Sequence, residues 1–117
     1  MYDCKNVQAY NLDVQSKNSI ELYKNSILAL LNPYLQTAVD EYYSSINKPI
    51  RQYGLYDAKI LELKNTEKGQ FTFYITIELN SYTGAHNPPY GKETISLYFD
   101  AGSAKVIVYK HQEINNG

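Results

Sequence analysis

The sequence has one cysteine, two histidines, one arginine and no tryptophan among its 117 residues. A single thiol, Cys4, excludes an internal disulfide. With no second cysteine there is no Cys-x-x-Cys pair and no Cys/His cluster to hold a metal. No apolar run approaches the roughly 20 residues that a membrane-spanning helix requires, so no such segment is expected. Eleven basic residues against twelve acidic ones give a formal net charge of -1. That balance supplies no electrostatic footprint for nucleic acid or an anionic membrane. The first residues lack the charged and apolar regions of a secretory signal. The chain is therefore expected to be either cytoplasmic or the mature part of an exported protein. Catalytic motifs are missing as well: there is no Gly-x-Ser-x-Gly, and no glycine-rich loop has phosphate-cradling spacing. No catalytic residue, metal or cofactor is assigned.

What is present reads as one globular domain. Hydrophobic residues at 44% and charged residues at 20% argue against disorder, and the length suits a single domain. Residues 1–17 show no sustained period and read as an extended arm. The domain proper spans 18–114, with a short tail over 115–117. Thirteen tyrosines dominate the aromatic content; each pairs an apolar body with a polar tip and suits half-buried and binding positions alike.

From Asn18 to Asn47 apolar residues recur every three or four positions: Ile20, Tyr23, Ile27, Leu30, Leu31, Tyr34, Leu35, Ala38, Tyr42 and Ile46. This is a helical stripe. Asn32-Pro33 interrupts it, and Asn is a good N-cap while Pro is favoured at the first helical position. The spacing predicts two helices, near 19–31 and 33–46, meeting at a bend. Four strand signals come after it, Tyr56 to Lys64, Gln70 to Tyr82, Thr94 to Ala101 and Lys105 to Lys110. The first slips in alternation near Ile60-Leu61, which suggests a bulge. Short turns between the outer pairs require antiparallel pairing. The expectation is an α+β fold, a bent N-terminal helix pair on a four-stranded antiparallel meander. Phe73, Ile75, Ile77, Leu97 and Phe99 should form the sheet side of the core, with Ile27, Leu30 and Leu35 opposite.

The runs RQYGLYDAKI (51–60), GQFTFYITIEL (69–79), GAHNPPYGKETI (84–95) and KVIVYKH (105–111) succeed one another along the chain. In that order they resemble an uncharacterised domain-of-unknown-function family, DUF3888, of small proteins from Gram-positive, spore-forming bacteria. The resemblance covers about residues 20–111, and HNPPYG is its most specific part. Members often carry an export signal ahead of the domain, so the resemblance implies export; it brings no activity, cofactor or catalytic residue. The order of elements is also similar to cystatin-like folds, a likeness of fold that confers no function.

The candidate site is the connection Thr83 to Lys92. Two prolines between glycines stiffen Gly84 to Gly91 and could present His86, Asn87 and Tyr90 as a preorganised array. In simple register, Tyr74, Tyr98 and Tyr109 share the sheet face away from the helices with Thr72, Thr76, Thr94 and Ser96, a surface suited to sugar or protein. His111 and the carboxylates Asp57, Glu62, Glu78, Glu93 and Asp100 read as solvated groups. Two functions fit. One is a non-enzymatic, secreted or envelope-associated binding module whose partner is a protein or a cell-envelope polymer. The other is a small enzyme with a pocket between helices and sheet, recruiting Tyr23, Tyr34 or Tyr42 with Asp57. A dry interface favours the first, and an open cavity with converging polar groups favours the second.

Overall fold

The computed structural model describes residues 18–114; the arm expected over 1–17, with Cys4, and the tail over 115–117 lie outside the described residues. The elements are one helix, α1 (Asn18–Ser45), then β1 (Gln52–Tyr53), β2 (Lys59–Asn65), β3 (Phe73–Thr83), β4 (Asn87–Phe99) and β5 (Ala104–Ile114). The fold is α+β, as expected, but with one helix and five antiparallel strands. No described helix is long and apolar enough to cross a membrane.

The expected helix pair is a single helix that runs through Pro33. Pro33 is exposed, whereas Leu31 and Leu35 on either side are buried. Both halves are thus held to one core, and that packing overrides the hydrogen bond the proline removes. Asn32 is not a cap, because its Oδ1 accepts a 2.7 Å hydrogen bond from the Tyr53 hydroxyl. The helix ends where Asn47 turns left-handed, at φ 57°. Lys48 N–H then donates back to the Tyr43 carbonyl at 2.9 Å, and Pro49 cannot continue the helix.

The expected first strand, Tyr56 to Lys64, starts only at Lys59 as β2, and a further short strand, β1, precedes it. Both β1 and β2 pair with β3, the first at Tyr82 and Ser81 and the second from Glu78 to Phe73. Gly54 to Ala58 interrupts them with a turn closed by Ala58 N–H to the Leu55 carbonyl. The expected bulge appears between Ile60 and Glu62. Strand β4 pairs with β3 on one side and β5 on the other.

Leu28, Leu31, Leu35, Ala38, Val39 and Tyr43 face Ile75, Ile77, Leu79, Ile95 and Leu97 across a buried core. Each large aliphatic side chain so buried contributes about 1.5–3 kcal/mol. Four core assignments need correction, Ile27 among them, which is half-buried at the edge of the core. Phe73 and Phe99 are half-buried and stack on each other with centroids 5.2 Å apart. Leu30 is 75% exposed. The apolar stripe on α1 is wider than the sheet beneath it: one flank is buried and the other faces out.

Candidate functional site

At the open end of the sheet the inward face turns polar. Alternation that places Ile95 and Leu97 inward also places Glu93 and Gly91 inward. A bulge in β5, opposite Ser96 and Leu97, adds one residue and reverses the facing of the rest of the strand. Tyr109 consequently pairs with Ile95, His111 with Glu93 and Glu113 with Gly91, all on the helix side. Ser81 comes from β3, Tyr43 from α1, and Arg51 from the segment leading into β1.

These residues close around the Glu93 carboxylate, which is fully buried. Oε2 accepts from the Tyr43 and Ser81 hydroxyls at 2.7 Å each. Oε1 accepts from the Tyr109 hydroxyl at 2.8 Å. His111 Nδ1 lies 3.0 Å from both oxygens, and its Nε2 lies 3.1 Å from Glu113 Oε1. Both ring nitrogens therefore face carboxylate oxygens. Arg51, itself buried, donates to Glu113 Oε1 at 2.7 Å and sits over the Tyr43 ring, 4.8 Å from its centroid. Tyr42 covers the outer side, stacked on Tyr109 at 4.5 Å.

The electrostatics result from this enclosure. Burial, followed by the hydrogen bond to Glu93, pushes the Tyr43 hydroxyl well above the ordinary phenol range. Burial and then the Glu93 charge do the same to Tyr109. Burial alone would raise the Glu113 carboxyl, but the hydrogen bond and charge of Arg51, with His111, outweigh it and hold the group below its usual range. Gly91 makes the cluster sterically possible, since a Cβ there would lie 2.7 Å from Glu93 Oε2 and 2.9 Å from Arg51 Nη1. Both oxygens of the carboxylate are occupied by partners from three elements, α1, β3 and β5. The cluster works as a clamp that ties α1 to the sheet.

Behind Ser81 and Gly91 the sheet end opens as a cleft of about 240 Å³. Its walls are Tyr56 and Asp57 from the turn after β1, Asn80 and Tyr82 from β3, His86 from the β3–β4 turn and Tyr90 from β4. The ring of Tyr56 passes over Gly54, where a Cβ would lie 2.3 Å from its Cε1, and Tyr56 is 79% exposed. Asp57 Oδ2 accepts from Asn80 at 3.1 Å. Asp57 Oδ1 is buried and meets no donor among the described residues.

The long connection expected over Thr83 to Lys92 is a tight turn. Gly84 to His86 reverses the chain, and β4 begins at Asn87. The surplus residues are absorbed as a bulge, so that the four steps from Asn87 to Gly91 match two from Thr83 to Ser81. Gly84 and His86 take left-handed φ of 52° and 60°, which costs a non-glycine residue about 1–2 kcal/mol. The His86 ring stacks on Tyr82, with centroids 4.1 Å apart, and the Tyr90 hydroxyl donates to the His86 carbonyl at 2.9 Å.

Of the candidate residues, the structure brings His86 and Tyr90 together at the cleft; Asn87 is exposed beside them. Tyr74 and Tyr98 pair across the outer face at 5.3 Å, next to the hydroxyl pair Thr76 and Ser96. Tyr109 does not join them, because the β5 bulge turns it inward. Nor do Tyr23, Tyr34, Tyr42 and Asp57 converge on one pocket: Tyr23 and Tyr34 are exposed, and Asp57 lines the cleft. Glu93 and His111 were expected in solvent, and Arg51 and Ser81 were not among the candidates. Glu93 sits in phase with Ile95 and Leu97, a signal that it faces the core. Among the described residues no group of three or more His, Cys, Asp or Glu is arranged to hold a metal.

No curated protein and no solved structure gives a significant match to the chain. The family described as "Protein of unknown function (DUF3888)" matches residues 23–113, most of the length, and the chain belongs to that family.

Proposed function

We propose that the chain is a non-enzymatic binding module of the cell exterior or envelope, and that it engages a protein or envelope polymer at the cleft between Tyr56 and Tyr90. The observation that carries this reading is the composition of the cleft. Three tyrosine rings and an imidazole line the cleft together with Asp57, whose Oδ1 has no donor among the described residues. A buried oxygen without a partner costs about 1–3 kcal/mol, and a ligand donor reaching it on a small opening of Tyr56 recovers that. Aromatic faces supply apolar contact area at low entropic cost. The stacked and hydrogen-bonded positions of His86 and Tyr90 mean that their ordering cost is met before a ligand arrives. By contrast, the polar groups between helix and sheet are spent on one another, which supports binding over the alternative of a small enzyme.

The test is co-sedimentation of the purified protein with insoluble cell-wall material from Gram-positive bacteria. The wild-type chain should pellet, and the double variant His86→Ala/Tyr90→Ala should stay in solution with an unchanged circular dichroism spectrum. Equal pelleting of the two, or none by the wild type, contradicts the reading.

A further inference from the structure

The cleft at the sheet end is one-sided in charge. Among the described residues that line it, Asp57 is the one carboxylate, and none is a lysine or an arginine. Arg51, which approaches the wall at Gly91 and Ser81, is paired with Glu113 at 2.7 Å. Asp57 Oδ2 accepts from the side-chain amide of Asn80, a neutral donor, at 3.1 Å. Its Oδ1 is buried and meets no donor among the described residues. A carboxylate taken out of water is ordinarily met by a charged partner as well as by hydrogen bonds. Along this cleft neither Oδ1 nor the carboxylate charge has that counterpart. The remaining walls are largely aromatic, from Tyr56, Tyr82, His86 and Tyr90. Tyrosine faces attract a cation within about 6 Å and pack against an apolar stem.

We propose that the cleft takes a primary ammonium carried on an alkyl stem, as at the end of a lysine side chain, with Asp57 Oδ1 as its acceptor. The inference rests on the reading of the cleft as the ligand site and adds the chemistry of what that site takes. Other donors fit less well. A guanidinium grips a carboxylate through two parallel bonds to two oxygens, and Asn80 already holds Oδ2. A quaternary ammonium has no N–H to give Oδ1. A sugar hydroxyl can donate, but it brings no charge. The volume of about 240 Å³ suits a stem and its head group, and it falls below the roughly 300–1,000 Å³ of pockets that take drug-sized ligands. Tyr56 is the wall residue able to give way, since its ring is exposed and rests on Gly54.

The probe is Nα-acetyl-lysine N-methylamide, titrated into the labelled full chain while amide chemical shifts are read. Shifts at Asp57 and Asn80 should saturate with a Kd of about 1 mM, the scale for one charged hydrogen bond with a little apolar contact. The norleucine analogue, which has the stem without the ammonium, should bind about 10-fold more weakly or worse. So should the Nε-acetylated probe. Asp57→Asn keeps an oxygen for Asn80 and should weaken the lysine probe by a similar factor, with its dispersed spectrum retained. No saturating shift with the lysine probe overturns the inference, and so does equal binding by the norleucine analogue or by Asp57→Asn. Acetylating the amines of the cell-wall material separates this inference from the reading beneath it. Pelleting lost on acetylation supports the ammonium and places it on the wall polymer. Pelleting that survives acetylation overturns the ammonium and leaves the cleft as a wall-binding site. Binding of the lysine probe without pelleting on untreated wall supports the ammonium, with a protein lysine as its source, and contradicts wall binding.

Discussion

Replacing Glu93 with glutamine keeps the side chain's shape and changes only what its end can accept. One of two carboxylate oxygens becomes an NH2, a donor pointed at donors. If that group stands at Oε2, it faces the hydroxyls of Tyr43 and Ser81; at Oε1, it faces Tyr109 and His111. A hydrogen bond to a charged group contributes about 1.5–3 kcal/mol, and a simple sum overstates the loss because hydroxyls can rotate to accept. The better guide is the breaking of a buried charged network at one member, about 3–5 kcal/mol, since the groups that converge on the carboxylate then face an end that cannot accept from all of them. Against a typical stability of about 5–15 kcal/mol this is a large fraction. Urea unfolding followed by far-ultraviolet circular dichroism measures it as a lowered midpoint at constant slope. Glu62→Gln is the control: Glu62 is exposed and 3.7 Å from Lys64, and its loss should fall within about 0.5 kcal/mol. If Glu93→Gln behaved like that control, Glu93 would not be the hub of the clamp.

Pro33→Ala should raise the melting temperature, because an exposed proline inside α1 is replaced by the best helix former; the gain is about 1–3 kcal/mol. A lowered melting temperature would show that the helix needs the proline. Gly91→Ala should cost about 1–3 kcal/mol in urea unfolding, since the methyl group meets Glu93, Ser81 and Arg51 at once; an unchanged midpoint would mean the cluster yields freely. The raised phenols predict alkaline sensitivity. Folding holds the Tyr43 and Tyr109 protons more tightly than the unfolded chain does, so their contribution is intact below about pH 10 and lost as pH rises beyond it. The slope is up to about 1.4 kcal/mol per pH unit for each. Urea midpoints that stayed flat from about pH 9 to pH 11.5 would contradict this.

The sheet is legible in the sequence wherever alternation is unbroken. Phe73 to Leu79 and Ile95 to Phe99 announce their facing, and the bulge near Ile60-Leu61 shows as a slip in period. The β5 bulge leaves no such mark, because Val106, Ile107 and Val108 are all apolar and either register looks equally good. That one residue decides whether Tyr109 and His111 face solvent or Glu93. On the helix, two overlapping stripes read as one, so Leu30 groups with Leu35 in sequence although they lie on different flanks. Pro33 signals a break through its local chemistry, which the long-range packing of Leu31 and Leu35 overrides. Arg51 joins the polar cluster through contacts 30 and 62 residues apart in sequence, which no local pattern encodes.

The central claim, that ligand is taken at the cleft and not at the buried clamp, is tested most directly by amide chemical shifts. Uniformly labelled protein would be titrated with solubilised Gram-positive cell-wall fragments. Shifts should concentrate at Gly54 to Ala58, Asn80 to Tyr82 and His86 to Gly91, and they should vanish in Tyr56→Ala. Shifts centred instead on Tyr43, Glu93 and His111, or unchanged by Tyr56→Ala, would contradict the account.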